Sequence, residues 1–193
     1  MKKIIGLTIA FMLLIGMAGI GTWAYFSDVE TSTGNQMTAG TLDLKTDDVD
    51  GVSQTLLATN MAPGDTVGPE TIILKNIGSV TGATLDLTFS YIENDGSPNP
   101  ADMSADATAA MLEVTVLNYG GLSLLGDDDV INGNGNGWKD IQDLTTSDLS
   151  GQSDIGASAS KDFQIAVQLR GVETGNDFQS DGITVTMTFT LNQ

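Results

Sequence analysis

From Ile183 to Leu191 the chain alternates apolar residues with threonine without a break: Ile-Thr-Val-Thr-Met-Thr-Phe-Thr-Leu. Successive side chains of an extended strand point to opposite faces, so this pattern builds one apolar face and one wet face. Phe163 to Leu169 repeats the rule, and in Ala83–Tyr91 the residues Leu85, Leu87, Phe89 and Tyr91 fall on one side while Asp86, Thr88 and Ser90 fall on the other. Leu112–Leu117 does the same over a shorter span, and Thr41–Lys45 places Leu42 and Leu44 on a common face. Val67–Leu74 is a further run, around Pro69. Alternation with threonine on the wet face specifies half-buried antiparallel strands.

Turn chemistry separates these runs: Pro63-Gly64-Asp65, Asn76-Ile77-Gly78, Asn94-Asp95-Gly96 and Glu173–Asn176. Two stretches read as helix. Pro100 to Met111 is alanine-rich, with Asn99 in the N-cap position and Pro100 in the first turn. Lys139 to Leu149 carries Ile141, Leu144 and Leu149 on one face. Seven or eight strands with two such insertions predict an all-β fold, a jelly-roll-type antiparallel β-sandwich with one or two short helical insertions.

The N-terminus follows a different logic. Lys2 and Lys3 precede an uncharged run from Ile4 to Ile20, and Gly21-Thr22-Trp23-Ala24 closes it. That is the layout of a secretory signal peptide, with Thr22 and Ala24 in the small-residue positions before a cut between Ala24 and Tyr25. An uncleaved anchor is the competing reading, because the run is near the lower limit for a spanning helix. The chain thus divides into a signal segment (1–24), a connecting segment (25–38) and one domain (39–193).

Composition narrows the function. The formal charge is −18 and becomes −20 once Lys2 and Lys3 are removed. So few cationic residues exclude nucleic acid as a partner and favour cations or a salty milieu. The chain has no Cys, so outside the cell it must rely on packing, ions or assembly for durability. It has no His, which removes His-based triads, His-ligated zinc and imidazole acid–base chemistry together. The acidic pairs Glu93/Asp95 and Asp127/Asp128 sit among Gly and Asn, where solvated charge is the ordinary reading. Catalysis is not expected.

Gly21–Asp28 reads GTWAYFSD and Ala39–Leu44 reads AGTLDL, directly behind the signal. MAPGD (Met61–Asp65), ILKNIGS (Ile73–Ser79) and TFTLNQ (Thr188–Gln193) follow in order. Together these motifs resemble the TasA/camelysin family of secreted filament proteins, which includes bacterial biofilm fibre subunits and archaeal bundling pili. The resemblance implies a jelly-roll subunit that polymerises by donor-strand complementation, its freed N-terminal segment adding a strand to the next copy. It also implies a signal peptidase during export and an anchoring or minor filament protein as partners. Camelysin-type members carry a metallopeptidase label, which this His-free and Cys-free chain does not support. Tyr25–Thr38 suits donation: Tyr25, Phe26, Val29 and Met37 are apolar, and Thr31, Ser32, Thr33 and Asn35 can pair a backbone without needing burial. The alternative is a segment folded back onto its own domain or left as a disordered leader.

One segment stands apart. In Asn132-Gly-Asn-Gly-Asn-Gly-Trp138, the residues Asn132, Asn134 and Asn136 occupy positions 1, 3 and 5 of a calcium-loop spacing, with Gly137 at 6. Trp138 would offer its carbonyl at 7, with Asp140 at 9 and Asp143 at 12. Neutral amides at the first three positions and the short reach of Asp143 predict a weak Ca²⁺ site. The competing reading is a glycine-rich solvated loop.

Overall fold

The computed structural model describes residues 41–47, 61–95, 103–126, 129–178 and 180–193. All of them belong to one unit, residues 40–193. The signal segment, the cut at Ala24/Tyr25 and the donor-segment residues Tyr25, Phe26, Val29 and Met37 lie outside the described residues.

Eight strands are present among the described residues: β1 (Leu44–Thr46), β2 (Thr66–Asn76), β3 (Thr84–Glu93), β4 (Leu112–Tyr119), β5 (Leu122–Ser123), β6 (Leu149–Ser153), β7 (Ser160–Leu169) and β8 (Ile183–Asn192). They form two antiparallel sheets, one of order β1-β2-β7-β4-β5 and one of order β6-β3-β8. The fold is an all-β sandwich. Apart from the β1–β2 and β4–β5 pairs, each strand in chain order crosses to the opposite sheet.

The alternating residues meet between the sheets. Leu74, Leu85, Leu117, Ile155 and Phe163 are fully buried, and Leu87, Ile165 and Val167 nearly so. The Phe163 ring of β7 meets the Phe189 ring of β8 edge-on, with centroids 5.0 Å apart. Burial of this kind supplies the main drive for the fold.

The helices are shorter than expected. α1 is Ala105–Met111, capped by Ser104, whose Oγ accepts the Ala107 N–H at 3.3 Å; the helix therefore starts later than Asn99 and Pro100 suggested. α2 is Ile141–Thr146, and Leu149 opens strand β6 instead of continuing the helix. Ser147 has extended backbone, which ends the helical run after Thr146. β1 begins at Leu44 instead of Thr41, since Thr41–Asp43 bind the β2–β3 turn. β5 and β6 carry no clear alternation and were not expected as strands.

The motif turns are pins between strands. In Met61–Asp65 the Asp65 N–H donates to Ala62 O at 2.9 Å across Pro63 and Gly64, with Gly64 at φ +93°. Asp65 Oδ2 accepts the Ala62 N–H at 2.8 Å, and the turn grips β7 through Gly64 N–H to Leu169 O at 2.7 Å. In Asn76-Ile77-Gly78 the fully buried Asn76 donates from Nδ2 to Val80 O (2.8 Å) and Ile155 O (3.1 Å), and its Oδ1 accepts Gly78 N–H at 2.9 Å. Gly78 packs so closely on the Thr41–Asp43 backbone that a Cβ would overlap the Thr41 carbonyl oxygen.

Candidate functional site

The Asn/Gly loop leads into α2 and lies against the end of α1. Asp140 is the N-cap of α2: its Oδ1 accepts the Asp143 N–H at 3.0 Å, while Asp143 Oδ2 accepts the Asp140 N–H at 3.2 Å. This is a reciprocal capping box with an aspartate at both positions. Both carboxylates are buried, Asp140 at 0% exposure and Asp143 at 1%. Buried charge must be matched by donors, and the loop supplies them. Asn134 Nδ2 and Asn136 Nδ2 converge on Asp140 Oδ2 at 2.9 and 2.7 Å. Gly133 N–H donates to Asp143 Oδ1 at 2.8 Å, and Asn134 N–H reaches the same oxygen at 3.4 Å. Burial pushes the Asp140 carboxyl up from its usual range; the bonds from Asn134, the Asp143 backbone and Asn136 pull it back, and neighbouring Asp143 adds a smaller upward push.

The three asparagine oxygens each bind backbone within the loop. Asn132 Oδ1 accepts Gly135 N–H (2.8 Å), Asn134 Oδ1 accepts Asn136 N–H (3.1 Å), and Asn136 Oδ1 accepts Trp138 N–H (3.1 Å). Trp138 Nε1 and Asn136 Nδ2 both donate to Ala110 O at the end of α1, at 2.9 and 3.3 Å. The Arg170 guanidinium covers the Trp138 ring at 4.3 Å and pairs with Glu113 (2.6 Å) and Glu173 (3.0 Å). The structure thus gathers Asn134, Asn136, Asp140 and Asp143 around two buried carboxylates. Asn132 closes the loop, and Trp138 faces Arg170 and α1. The spacing identified these residues, but the capping box and the Arg170 cover were not legible from it. A capping Asp three residues before a second Asp was the available signal. Calcium ligation by these residues would require the Asn134 and Asn136 amides to turn their oxygens toward the ion. Titration with millimolar Ca²⁺ tests it: a rise in melting temperature that Asn134→Ala abolishes supports ligation, and an unchanged temperature removes it.

The second candidate surface is the rim of the three-stranded sheet. β8 pairs with β3 along ten residues, Ile183↔Glu93 through Asn192↔Thr84. No described strand pairs with its other side. Thr184, Thr186, Thr188 and Thr190 are exposed on the outer face, whereas inward-facing Val185, Met187 and Phe189 are only half-buried. Leu44 of β1 and Val67 of β2, on the facing sheet, are likewise only partly covered. The other rim strands are three residues in β1, two in β5 and five in β6, so Thr66–Ile72 of β2 and Thr88–Glu93 of β3 also lack a described partner strand on one side.

The family model for camelysin metallo-endopeptidase matches residues 1–193. The chain belongs to this family. It is the TasA/camelysin family that the motifs resemble. None of the curated proteins matches the chain. The family description implies a metal, and the donor set does not fit one of the usual peptidase kind. The camelysin-family chain has no His and no Cys, and among the described residues no three acidic side chains gather around one point. Asp140 and Asp143 are a pair only, and their four oxygens all accept N–H groups. Among the described residues no helix is long and apolar enough to cross a membrane.

Proposed function

We propose that this chain is a structural subunit of an extracellular filament, a biofilm matrix fibre or bundling pilus. Copies join head to tail as the mature N-terminal segment of one adds a strand to the next. Membership of the TasA/camelysin family supports a secreted structural or matrix role. The observation that carries the filament reading is the imbalance of the sandwich. One sheet has five strands and the other three, and the ten-residue rim strand β8 leaves apolar residues half covered. Natural sheets normally blunt long flat rims with charge, proline or a bulge. β8 carries none of these: its sequence holds no charge and no proline, and its register with β3 runs unbroken. An incoming strand would supply hydrogen bonds and cover at one stroke. A heterologous contact of this kind grows an open fibre instead of a closed ring.

The reading is structural and not catalytic. It rests on the lack of His and Cys and on the placement of the motifs Met61–Asp65 and Ile73–Ser79, whose turns pin strands together. A signal peptidase cutting at Ala24/Tyr25 would free the donor segment, and an anchoring or minor filament protein would hold the fibre at the cell surface. Negative-stain imaging of the secreted protein tests the proposal. Long fibres are expected from the parent chain and none from a variant lacking Tyr25–Thr38. Abundant fibres from the truncated chain would overturn it.

A further inference from the structure

From Asn132 to Gly137 the chain repeats Asn-Gly three times. Asparagine is chemically labile, because the backbone nitrogen that follows it can attack its side-chain amide carbon. A following glycine leaves that nitrogen unshielded. The three dipeptides are identical in sequence, and only their surroundings rank them. We propose that Asn132-Gly133 is a self-modifying site, at which the folded chain converts Asn132 to aspartate or isoaspartate while Asn134 and Asn136 are spared. The proposal goes beyond the filament reading and is independent of it.

The cyclisation needs a base for the attacking N–H, a donor for the oxygen that becomes an oxyanion, and an amide nitrogen free to leave. Asn132 has all three. The attacking Gly133 N–H donates to Asp143 Oδ1 at 2.8 Å, within reach for proton transfer. Asp143 is 1% exposed, so water competes little for that oxygen, and the Asn134 N–H that shares it stands farther off at 3.4 Å. Gly135 N–H donates to Asn132 Oδ1 at 2.8 Å and so faces the oxygen on which charge develops. Among the described residues nothing holds Asn132 Nδ2.

The other two lack this set. Asn134 Nδ2 is held by Asp140 Oδ2 and Gln142 Oε1, both at 2.9 Å. Its attacking nitrogen, that of Gly135, is bound to the neutral amide oxygen of Asn132 instead of a carboxylate. Asn136 Nδ2 is held by Asp140 Oδ2 at 2.7 Å and Ala110 O at 3.3 Å, and no described carboxylate accepts the Gly137 N–H. Converting either residue would also set a new carboxylate against Asp140.

The step balances without any outside reagent but water. As Gly133 N bonds to Asn132 Cγ, its proton passes to Asp143 Oδ1. Negative charge gathers on Asn132 Oδ1, opposite Gly135 N–H. The Cγ–Nδ2 bond then breaks, Asp143 returns the proton to the departing nitrogen, and ammonia leaves behind a succinimide ring. Water opens the ring at either carbonyl, giving aspartate or isoaspartate and adding a negative charge to the loop.

The test holds the purified full chain folded at neutral pH beside a matched sample unfolded in urea. Peptide mass spectrometry follows the mass gain at each of the three asparagines over time. Asn132 is expected to convert at least about tenfold faster folded than unfolded, and Asn134 and Asn136 to convert more slowly folded than unfolded. Asp143→Asn keeps the shape and removes the base. It is expected to slow Asn132 to the unfolded rate or below, while Asn134 and Asn136 hold their rates or quicken. A loop that is merely loosened would quicken all three, so the opposite response of Asn132 separates chemistry from flexibility. An Asn132 rate no faster in the fold than in urea overturns the proposal, whether or not the variant folds. Equal conversion at the three positions, or an Asp143→Asn variant as fast as the parent at Asn132, overturns it as well.

Discussion

At the scale of single residues, the buried polar groups make the sharpest predictions. Asp140 uses both oxygens, one on the Asp143 N–H and one on two converging asparagine amides. Asp140→Asn keeps the shape but offers a single acceptor, so an amide group must face donors it cannot satisfy. A loss of about 2–3 kcal/mol is expected from the urea midpoint; a loss under about 0.5 kcal/mol would contradict the arrangement. Tyr119 gives a pH signature. Burial, with a smaller push from Asp154, raises its hydroxyl to about 12, and the hydroxyl donates to Ser153 O at 2.8 Å. The unfolded chain ionises this group near 10, so its contribution is whole below pH 10 and is lost as pH rises toward 12. Tyr91, raised to about 12 by burial and by its bond to Asp106, titrates in the same window. Tyr119→Phe should therefore weaken the alkaline fall in stability without removing it. An identical fall in variant and parent would show that Tyr119 is not held in its neutral form.

At the scale of elements, the Asn76–Gly78 turn shows how local sequence sets the sandwich. Gly78 leaves room for the Thr41–Asp43 backbone, and Asn76 ties the turn to Ile155 just beyond β6. Asn76→Ala removes the bonds to Val80 O and Ile155 O, the latter still held by the Gly82 N–H, and strands the buried Gly78 N–H; it is expected to cost about 1–3 kcal/mol by chemical denaturation. Gly78→Ala should cost a comparable amount, because the obstruction is backbone and cannot swing aside. If both variants melted with the parent, the turn would not be the pin described. The same elements show what the sequence made legible. β3, β7 and β8 could be read within two or three residues of their bounds, because each buries one face and the period of two records it. β5 and β6 could not: Leu122-Ser123 is too short for any period, and Leu149-Ser-Gly-Gln-Ser buries only its first residue. The helix starts were misplaced because Ser104 and Asp140 take the caps, and many residues in this chain could fill that role. Of the loop site, the spacing of Asn132, Asn134 and Asn136 was visible. The direction of each amide depends on Ala110 and Asp140, which only the packing of α1 against α2 brings into reach.

At the scale of the whole molecule, charge and shape act together. A mature subunit with a formal charge of −20, the −18 of the full chain less Lys2 and Lys3, repels its copies, so strand exchange must overcome a barrier that salt screens. Light scattering should show fibre growth accelerating as ionic strength rises from about 10 to about 150 mM, where the screening length shortens from roughly 30 to 8 Å. Growth that slows with salt would mean that attraction between charges drives assembly. The rim supplies the shape: β8 is ten residues long, pairs with β3 in unbroken register and is half covered inside. The decisive measurement is a helical reconstruction of the fibre by electron cryomicroscopy, at a resolution that separates strands. The account predicts a fourth strand beside β8, contributed by residues 25–38 of the neighbouring copy. A sheet that remains three-stranded in the fibre, or is completed by the subunit's own chain, would contradict it.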